Sequence, residues 1–233
     1  MTCLEPAHDL IAPASRHILE RLAERSWSHD LYLAGSAALS LYLGHRRVGA
    51  LDLMGVNRLG SPQRRDLLED ILAVEPGVRV ETARNGYLDL RWPAEDSARG
   101  EGELFGPAVR VYYYPYPLID PEEDYAGWAV ASAVDLGLMK LGAAASRVGR
   151  RDLVDLYLLT RRLPLAELLD RAPEKFGHVR DFPLQALKGL ADAEQAYGEP
   201  LPRLEIELDW STVESWLHTE VRAEARRRVG LDA

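Results

Sequence analysis

Residues 31–54 read LYLAGSAALSLYLGHRRVGALDLM, and their layout sets the fold. LYLAG is a short apolar run stopped by Gly35, so it reads as a buried strand. SAALSLYL is Ala-rich and reads as a helix, with Ser36 placed to cap its start. GHRRVG is a loop between two glycines, and LDLM is the next strand. Asp52 stands between Leu51 and Leu53 on that strand. Carboxylates are uncommon on apolar strands unless they are paired or bound to something. Two carboxylates spaced i and i+2 emerge on one sheet face, where they hold magnesium against a phosphate. Position 50 is Ala50, so in this chain that pair is incomplete.

Gly35–Ser36 admits two readings. Backbone N–H groups at a helix start are unsatisfied and carry partial positive charge, which suits a phosphate. Gly removes the Cβ that would block close approach, and Ser36 adds a hydroxyl. The other reading is a tight strand-to-helix turn with a serine cap and no ligand.

Outward from this segment, residues 13–25 carry Ile18, Leu19 and Leu22 at helical spacing. Residues 61–73 open on Ser-Pro, a favourable helix start. Strand-like pieces follow at 78–83, 87–92 and 109–117, with Asn85–Gly86 as a hairpin signal between the first two. Residues 93–107 read as a long polar loop. After Pro121 the pattern is helical, over 129–145, 150–162, 165–172, 184–197 and 211–228, with a proline-containing linker at 198–209. Closely spaced strands with a hairpin predict a mixed or antiparallel sheet. The fold class is therefore α+β. Residues 1–120 are expected to form the α/β core and 121–233 a helical C-terminal region.

The second informative segment is LMKLGAAASRVGRRDLVDLYLL, residues 138–159. Lys140 sits within an apolar helix. Arg147 follows seven residues later on the same face, and Asp152 and Asp155 are three apart on the next helix. Cations aimed at one point bind phosphate. Equally, a buried Lys–Asp salt bridge locks two helices together.

The chain has 233 residues, 28 Lys+Arg, 37 Asp+Glu and a formal net charge of −9. That balance argues against a dedicated nucleic-acid binder, although the arginines come in short runs such as Arg46–Arg47 and Arg226–Arg228. With a single cysteine, Cys3, no internal disulfide forms and a cytoplasmic setting is favoured. The N-terminus has no signal-peptide pattern, and no apolar run approaches the ~20 residues of a membrane span. The six histidines are scattered without zinc spacing, and His45, which borders the Gly35–Ser36 turn, reads either as a phosphate contact or as a loop surface residue, with the surface reading slightly preferred. The tyrosines of YYYPYP (112–117) read as half-buried packing or as stacking faces for a base.

Together these segments resemble the nucleotidyltransferase toxin family of AbiEii/AbiGii type. Its members carry a stretch like YLAGGTALALxLGHRxSxDLDFF, a YPYP-like element, and a segment like DIAAMKLAAIAxRGxxKDFxDLYxL. The matches here are LAGSAALSLYLGHRR (33–47), LDLM (51–54), YPYPLI (114–119) and DLGLMKLGAAASRVGRRDLVDLYLL (135–159). The resemblance implies a nucleotidyltransferase-like mixed sheet with flanking helices, followed by a helical part. It implies transfer of a nucleotide from a nucleoside triphosphate (NTP), with Mg2+, to an RNA such as tRNA or to a protein, and a cognate antitoxin as partner. By the same resemblance Gly35 and Ser36 form the phosphate turn, helped by Arg47, Arg147 and Arg151. Asp52 is the metal ligand, Lys140 contacts the triphosphate, and Asp152 and Asp155 orient Lys140 or act in the chemistry. This chain departs from the pattern at Ala50, and near Tyr112, where a third carboxylate is missing; Asp89, on another strand, is a candidate substitute that no motif supports. Weak or absent transfer with nucleotide binding retained is therefore expected; the alternative is a wholly non-catalytic module binding nucleotide, nucleic acid or a protein partner.

Overall fold

The computed structural model describes residues 10–92, 108–120, 122–147, 149–196 and 198–231. They form two compact units, residues 1–132 and 133–233.

The first unit is built on a seven-stranded mixed sheet. In chain order its elements are α1 (Pro13–Leu22), β1 (Tyr32–Ala34), α2 (Gly35–Leu43), β2 (Ala50–Gly55), α3 (Ser61–Val74), β3 (Arg79–Arg84), β4 (Tyr87–Arg91), β5 (Ala108–Tyr113), β6 (Glu123–Tyr125) and β7 (Trp128–Val130). The strand order is β3-β4-β5-β2-β1-β7-β6. The β2–β5 and β1–β7 pairs are parallel and the others antiparallel. β1 is central and buried along its whole length, which is why its sequence is a continuous apolar run. β2 alternates: Leu51, Leu53 and Gly55 are buried, while Ala50, Asp52 and Met54 share the other, half-exposed face. β3 lies at an edge, and its charged residues Arg79, Glu81 and Arg84 are exposed, which discourages pairing with another chain.

Two expectations need correction here. The helix expected over 129–145 begins only at Ala133. Before it, Trp128 and Val130 are buried on either side of half-buried Ala129, the period of a strand. That strand pairs with β6 through a two-residue loop, Ala126–Gly127, with φ of 53° and 80°. Two positive φ values are the signature of a tight hairpin turn, but Ala-Gly announces one less clearly than Asn-Gly. Secondly, Ser36 does not cap α2. The helix starts at Gly35, and Ala34 at the cap position makes no side-chain bond. Residues 93–107 lie outside the described residues. Among the described helices none is long and apolar enough to cross a membrane.

The unit is tied across its elements by tryptophans. Trp27 donates its indole N–H to Asp70 on α3 at 2.8 Å, and Trp128 donates to the Leu19 carbonyl of α1 at 2.8 Å. Each bond satisfies the one polar atom of a large buried ring.

The second unit is helical: α4 (Ala133–Ser146), α5 (Arg150–Thr160), α6 (Leu165–Phe176), α7 (Phe182–Ala191), α8 (Trp210–Trp216) and α9 (Arg222–Arg228). A π turn, Leu217–Val221, joins α8 to α9. α4 and α7 approach so closely that a Cβ on Gly189 would lie 1.8 Å from the Ala144 carbonyl oxygen. Phe176 and Phe182 stack at 4.1 Å between ring centres. Lys175 of α6 and Asp135 of α4 form a fully buried ion pair at 2.7 Å.

Candidate functional site

In the first unit the site is organised around Asp52. Sheet register places it opposite Ala34 on one side and Arg110 on the other. Ala34 is the last residue before α2, so the carboxylate lies beside the first turn of that helix. Gly35 there adopts φ +63°, and a Cβ on it would lie 2.2 Å from Asp52 Oδ2. Only glycine fits, both for its backbone angle and for the space. The helix start carries partial positive charge, which favours the carboxylate beside it.

Ser36 also serves a different purpose from capping. Its hydroxyl accepts a hydrogen bond from Arg46 Nη2 at 2.5 Å, which leaves its own proton available for donation. Arg46 and His45 are buried, with His45 at 0% exposure, whereas Arg47 is exposed. The loop therefore turns His45 inward, against the surface placement expected of it. It brings Arg46 to the turn, while the Arg47 side chain is exposed. Two adjacent arginines give no signal in sequence as to which one the loop folds under.

Asp52 is ion-paired with Arg110 Nη1 at 3.4 Å; their side chains are 15% and 30% exposed. Burial disfavours the Arg110 charge, but Asp52 and then Tyr112 outweigh it, and its pKa stands above the usual arginine value. Burial, then Asp52, raises the Tyr112 hydroxyl. Burial, then Tyr112 and Asp89, pushes Tyr87 up to about 12. One strand further on, Asp89 stands opposite Arg110. Arg91 holds it through two bonds, of 3.2 and 2.9 Å, and the Tyr87 hydroxyl donates to it at 3.3 Å. Across β2, β5 and β4 the charged groups thus alternate as Asp52, Arg110, Asp89, Arg91.

This row bears on metal binding. Magnesium takes hard oxygen ligands in near-octahedral geometry, commonly one or two carboxylates plus phosphate. Ala50, two residues before Asp52 on the same face, faces Ala108 and offers none. Asp89 is occupied by Arg91. Among the described residues no group of three or more His, Cys, Asp or Glu side chains could hold a metal ion. The strand residues do not make up a two-carboxylate magnesium set.

In the second unit Lys140 Nζ lies 2.7 Å from both Asp152 Oδ1 and Asp155 Oδ2. Its side chain is 11% exposed and that of Asp155 is 0% exposed. Burial disfavours the ammonium, but Asp155 and Asp152 outweigh it and the pKa is raised. Lys140 therefore stays charged. Asp152 also accepts the Gly149 N–H at 3.3 Å, securing the start of α5. Arg147 follows the end of α4 and is exposed, and Arg151 is half-buried on α5. Arg150 is the arginine the fold engages: it stacks on the Trp210 ring at 4.2 Å and donates to the Glu199 carbonyl at 2.8 Å. A lysine held by two carboxylates carries no surplus positive charge. At rest the cluster has the form of a buried ion triad that locks α4 to α5.

A mixed sheet with a glycine turn beside a strand carboxylate is the core of a nucleotidyltransferase-like protein. The model of the nucleotidyl transferase AbiEii toxin family, of type IV toxin–antitoxin systems, matches residues 17–213, and the chain belongs to that family. An uncharacterized protein of Aquifex aeolicus is 27% identical over 212 residues, covering 89% of this chain and 94% of its own. Two solved structures share the fold. A Helicobacter pylori protein assigned as a nucleotidyltransferase has a TM-score of 0.58 at 19% identity, covering 94% of this chain and 95% of its own. MenT4, a nucleotidyltransferase toxin of Mycobacterium tuberculosis, has a TM-score of 0.52 at 16% identity, covering 92% and 88%. The mixed-sheet α+β fold read from the sequence is thereby confirmed, as is the family.

Proposed function

We propose that this chain binds a nucleoside triphosphate at the start of α2 and has lost the capacity to transfer the nucleotide to an RNA or protein hydroxyl. The observation that carries this reading is the Asp52–Arg110 pair beside Ala50. The carboxylate that the family resemblance assigns to the metal is neutralised by a cation of the protein's own sheet. The phosphate-binding parts remain: the glycine turn with its first-turn N–H groups, and Ser36 held by Arg46. Fixed positive charge aimed at a reacting phosphate commonly contributes several kcal/mol of barrier lowering, so its loss at the metal position slows transfer by orders of magnitude.

Residual transfer is the second reading, and the Lys140–Asp152–Asp155 triad favours it, because the three residues match the family segment and are held together. A type IV antitoxin is the partner that family membership suggests.

The test is to incubate purified protein and Mg2+ with each labelled NTP, with and without total tRNA, and to follow bound and acid-precipitable label separately. Bound label without incorporation is expected. Incorporation that Asp52→Ala abolishes would establish the second reading instead. Absence of binding for all four nucleotides would remove nucleotide recognition altogether.

A further inference from the structure

We infer that the Arg110 guanidinium is a built-in counter-cation, standing where a divalent ion would neutralise the strand carboxylate, so that this chain binds nucleotide phosphate without a divalent metal. The inference rests on the nucleotide-binding reading above and adds how the charge is supplied.

Three observations support it. The first is position. Arg110 is the direct cross-strand neighbour of Asp52 in the parallel β2–β5 pair, two residues along the same face from Ala108, which faces Ala50. The arginine thus lies beside the place where the second carboxylate is missing.

The second is charge. Asp52, Arg110, Asp89 and Arg91 alternate in sign and sum to zero. A divalent ion ligated by Asp52 would add two positive charges next to a guanidinium that already lies 3.4 Å from the same carboxylate. Like charges at that range repel strongly in a partly buried setting. The carboxylate's other oxygen offers no easier approach, since it packs against Gly35 so closely that a Cβ there would be 2.2 Å away.

The third is an unused donor. The Nε of Arg110 is buried and has no hydrogen-bond partner among the described residues. A buried donor left without an acceptor is unfavourable. The side chain as a whole is 30% exposed, so an anion has access to part of it. The sequence carries a trace of this. In VRVYY the arginine occupies an alternating strand position among apolar neighbours, where a charge calls for a partner.

The experiment compares binding of ATP, GTP, CTP and UTP by the wild-type chain in excess EDTA and in Mg2+, by equilibrium dialysis. Equal affinity in the two, within about twofold, is expected for each nucleotide that binds. Arg110→Gln, checked for an intact melting transition, is expected to weaken binding in EDTA by about tenfold or more, the worth of one charge-assisted hydrogen bond. Arg110→Lys should recover part of that loss. A fold-independent arm uses wild-type protein without nucleotide and follows Mn2+ by electron paramagnetic resonance; only the free-ion signal is expected. Nucleotide binding that disappears in EDTA, or a population of protein-bound Mn2+ at sub-millimolar metal, overturns the inference and leaves the nucleotide-binding reading standing. No binding under either condition overturns both.

Discussion

Replacing Gly35 with alanine tests the geometry on which the first cluster depends. The added Cβ would lie 2.2 Å from Asp52 Oδ2 and 3.0 Å from its Cβ and Cγ, at a backbone φ of +63°. The left-handed angle alone costs a non-glycine residue roughly 1–2 kcal/mol. The carboxylate must also swing away, which breaks the 3.4 Å pair with Arg110; for a pair this partly exposed that adds about 1 kcal/mol. The total is roughly 2–3 kcal/mol, or a fall of roughly 4–12 °C in melting temperature for a chain of this size. Circular dichroism melts of wild type, Gly35→Ala, Asp52→Ala and the double variant separate the two contributions. With the carboxylate removed the clash eases while the backbone strain stays. Gly35→Ala should therefore cost about 1 kcal/mol less in the Asp52→Ala background. Strict additivity of the two substitutions, or a melting temperature within a degree of wild type for Gly35→Ala, would refute the placement of Asp52 against the turn.

The two buried lysines should answer pH in opposite directions. Lys140 has a pKa raised above 10.5, because two carboxylates outweigh burial. Its stabilising contribution is therefore complete below pH 10.5 and is lost only as pH rises through its folded value above that. Lys175 is lowered from 10.5, because burial outweighs the single carboxylate of Asp135. Its folded form loses the proton first, so its contribution improves as pH rises toward 10.5. At pH 7, Lys140→Met should destabilise by roughly 3–5 kcal/mol, since Asp155 is left buried and unneutralised, whereas Lys175→Met with Asp135→Leu should be neutral or stabilising. Melts between pH 8 and 11 compare each variant with wild type, and parallel pH profiles for the two sites would contradict this account. Gly189→Ala should cost about 3 kcal/mol or more, because the Cβ meets backbone at Ala144, which cannot yield without parting α4 and α7. Gly198→Ala, with open space around it, is the control; equal melting temperatures for the two would be decisive against the close helix contact.

What the sequence revealed and what it hid follow from the range of the interactions. The Lys140 triad was legible because helical periodicity is local: Asp152 and Asp155 are three apart, and that spacing fixes a common face. The Gly35 turn was legible for the same reason, since a strand that ends in glycine before an Ala-rich helix is a short-range pattern. Arg110 could not be paired with Asp52 beforehand. Their contact depends on β5 adding to β2 in parallel, and strand order is decided by the packing of the whole sheet. The family pattern puts its third carboxylate near Tyr112, whereas the register sets Arg110 opposite Asp52. The hairpin of β6 and β7 was hidden because its turn residue is Ala126, which adopts a positive φ that alanine rarely takes.

The alternating row across β2, β5 and β4 has a consequence for folding as well as for charge. The β3–β4 hairpin is local in sequence and closes a short loop, but β2 and β5 must find each other across a long intervening stretch, and such distant parallel pairings form slowly. During that search the buried faces exclude a slip of one residue, but a slip of two keeps Leu51, Leu53, Val109 and Val111 on the buried side. Such a slip would set Arg110 opposite Ala50 or Met54 and leave Asp52 facing Tyr112 or Ala108. Only the observed alignment lets the two charges meet. The arginine that stands in for a metal is therefore also the group that tells one strand where along its neighbour to stop.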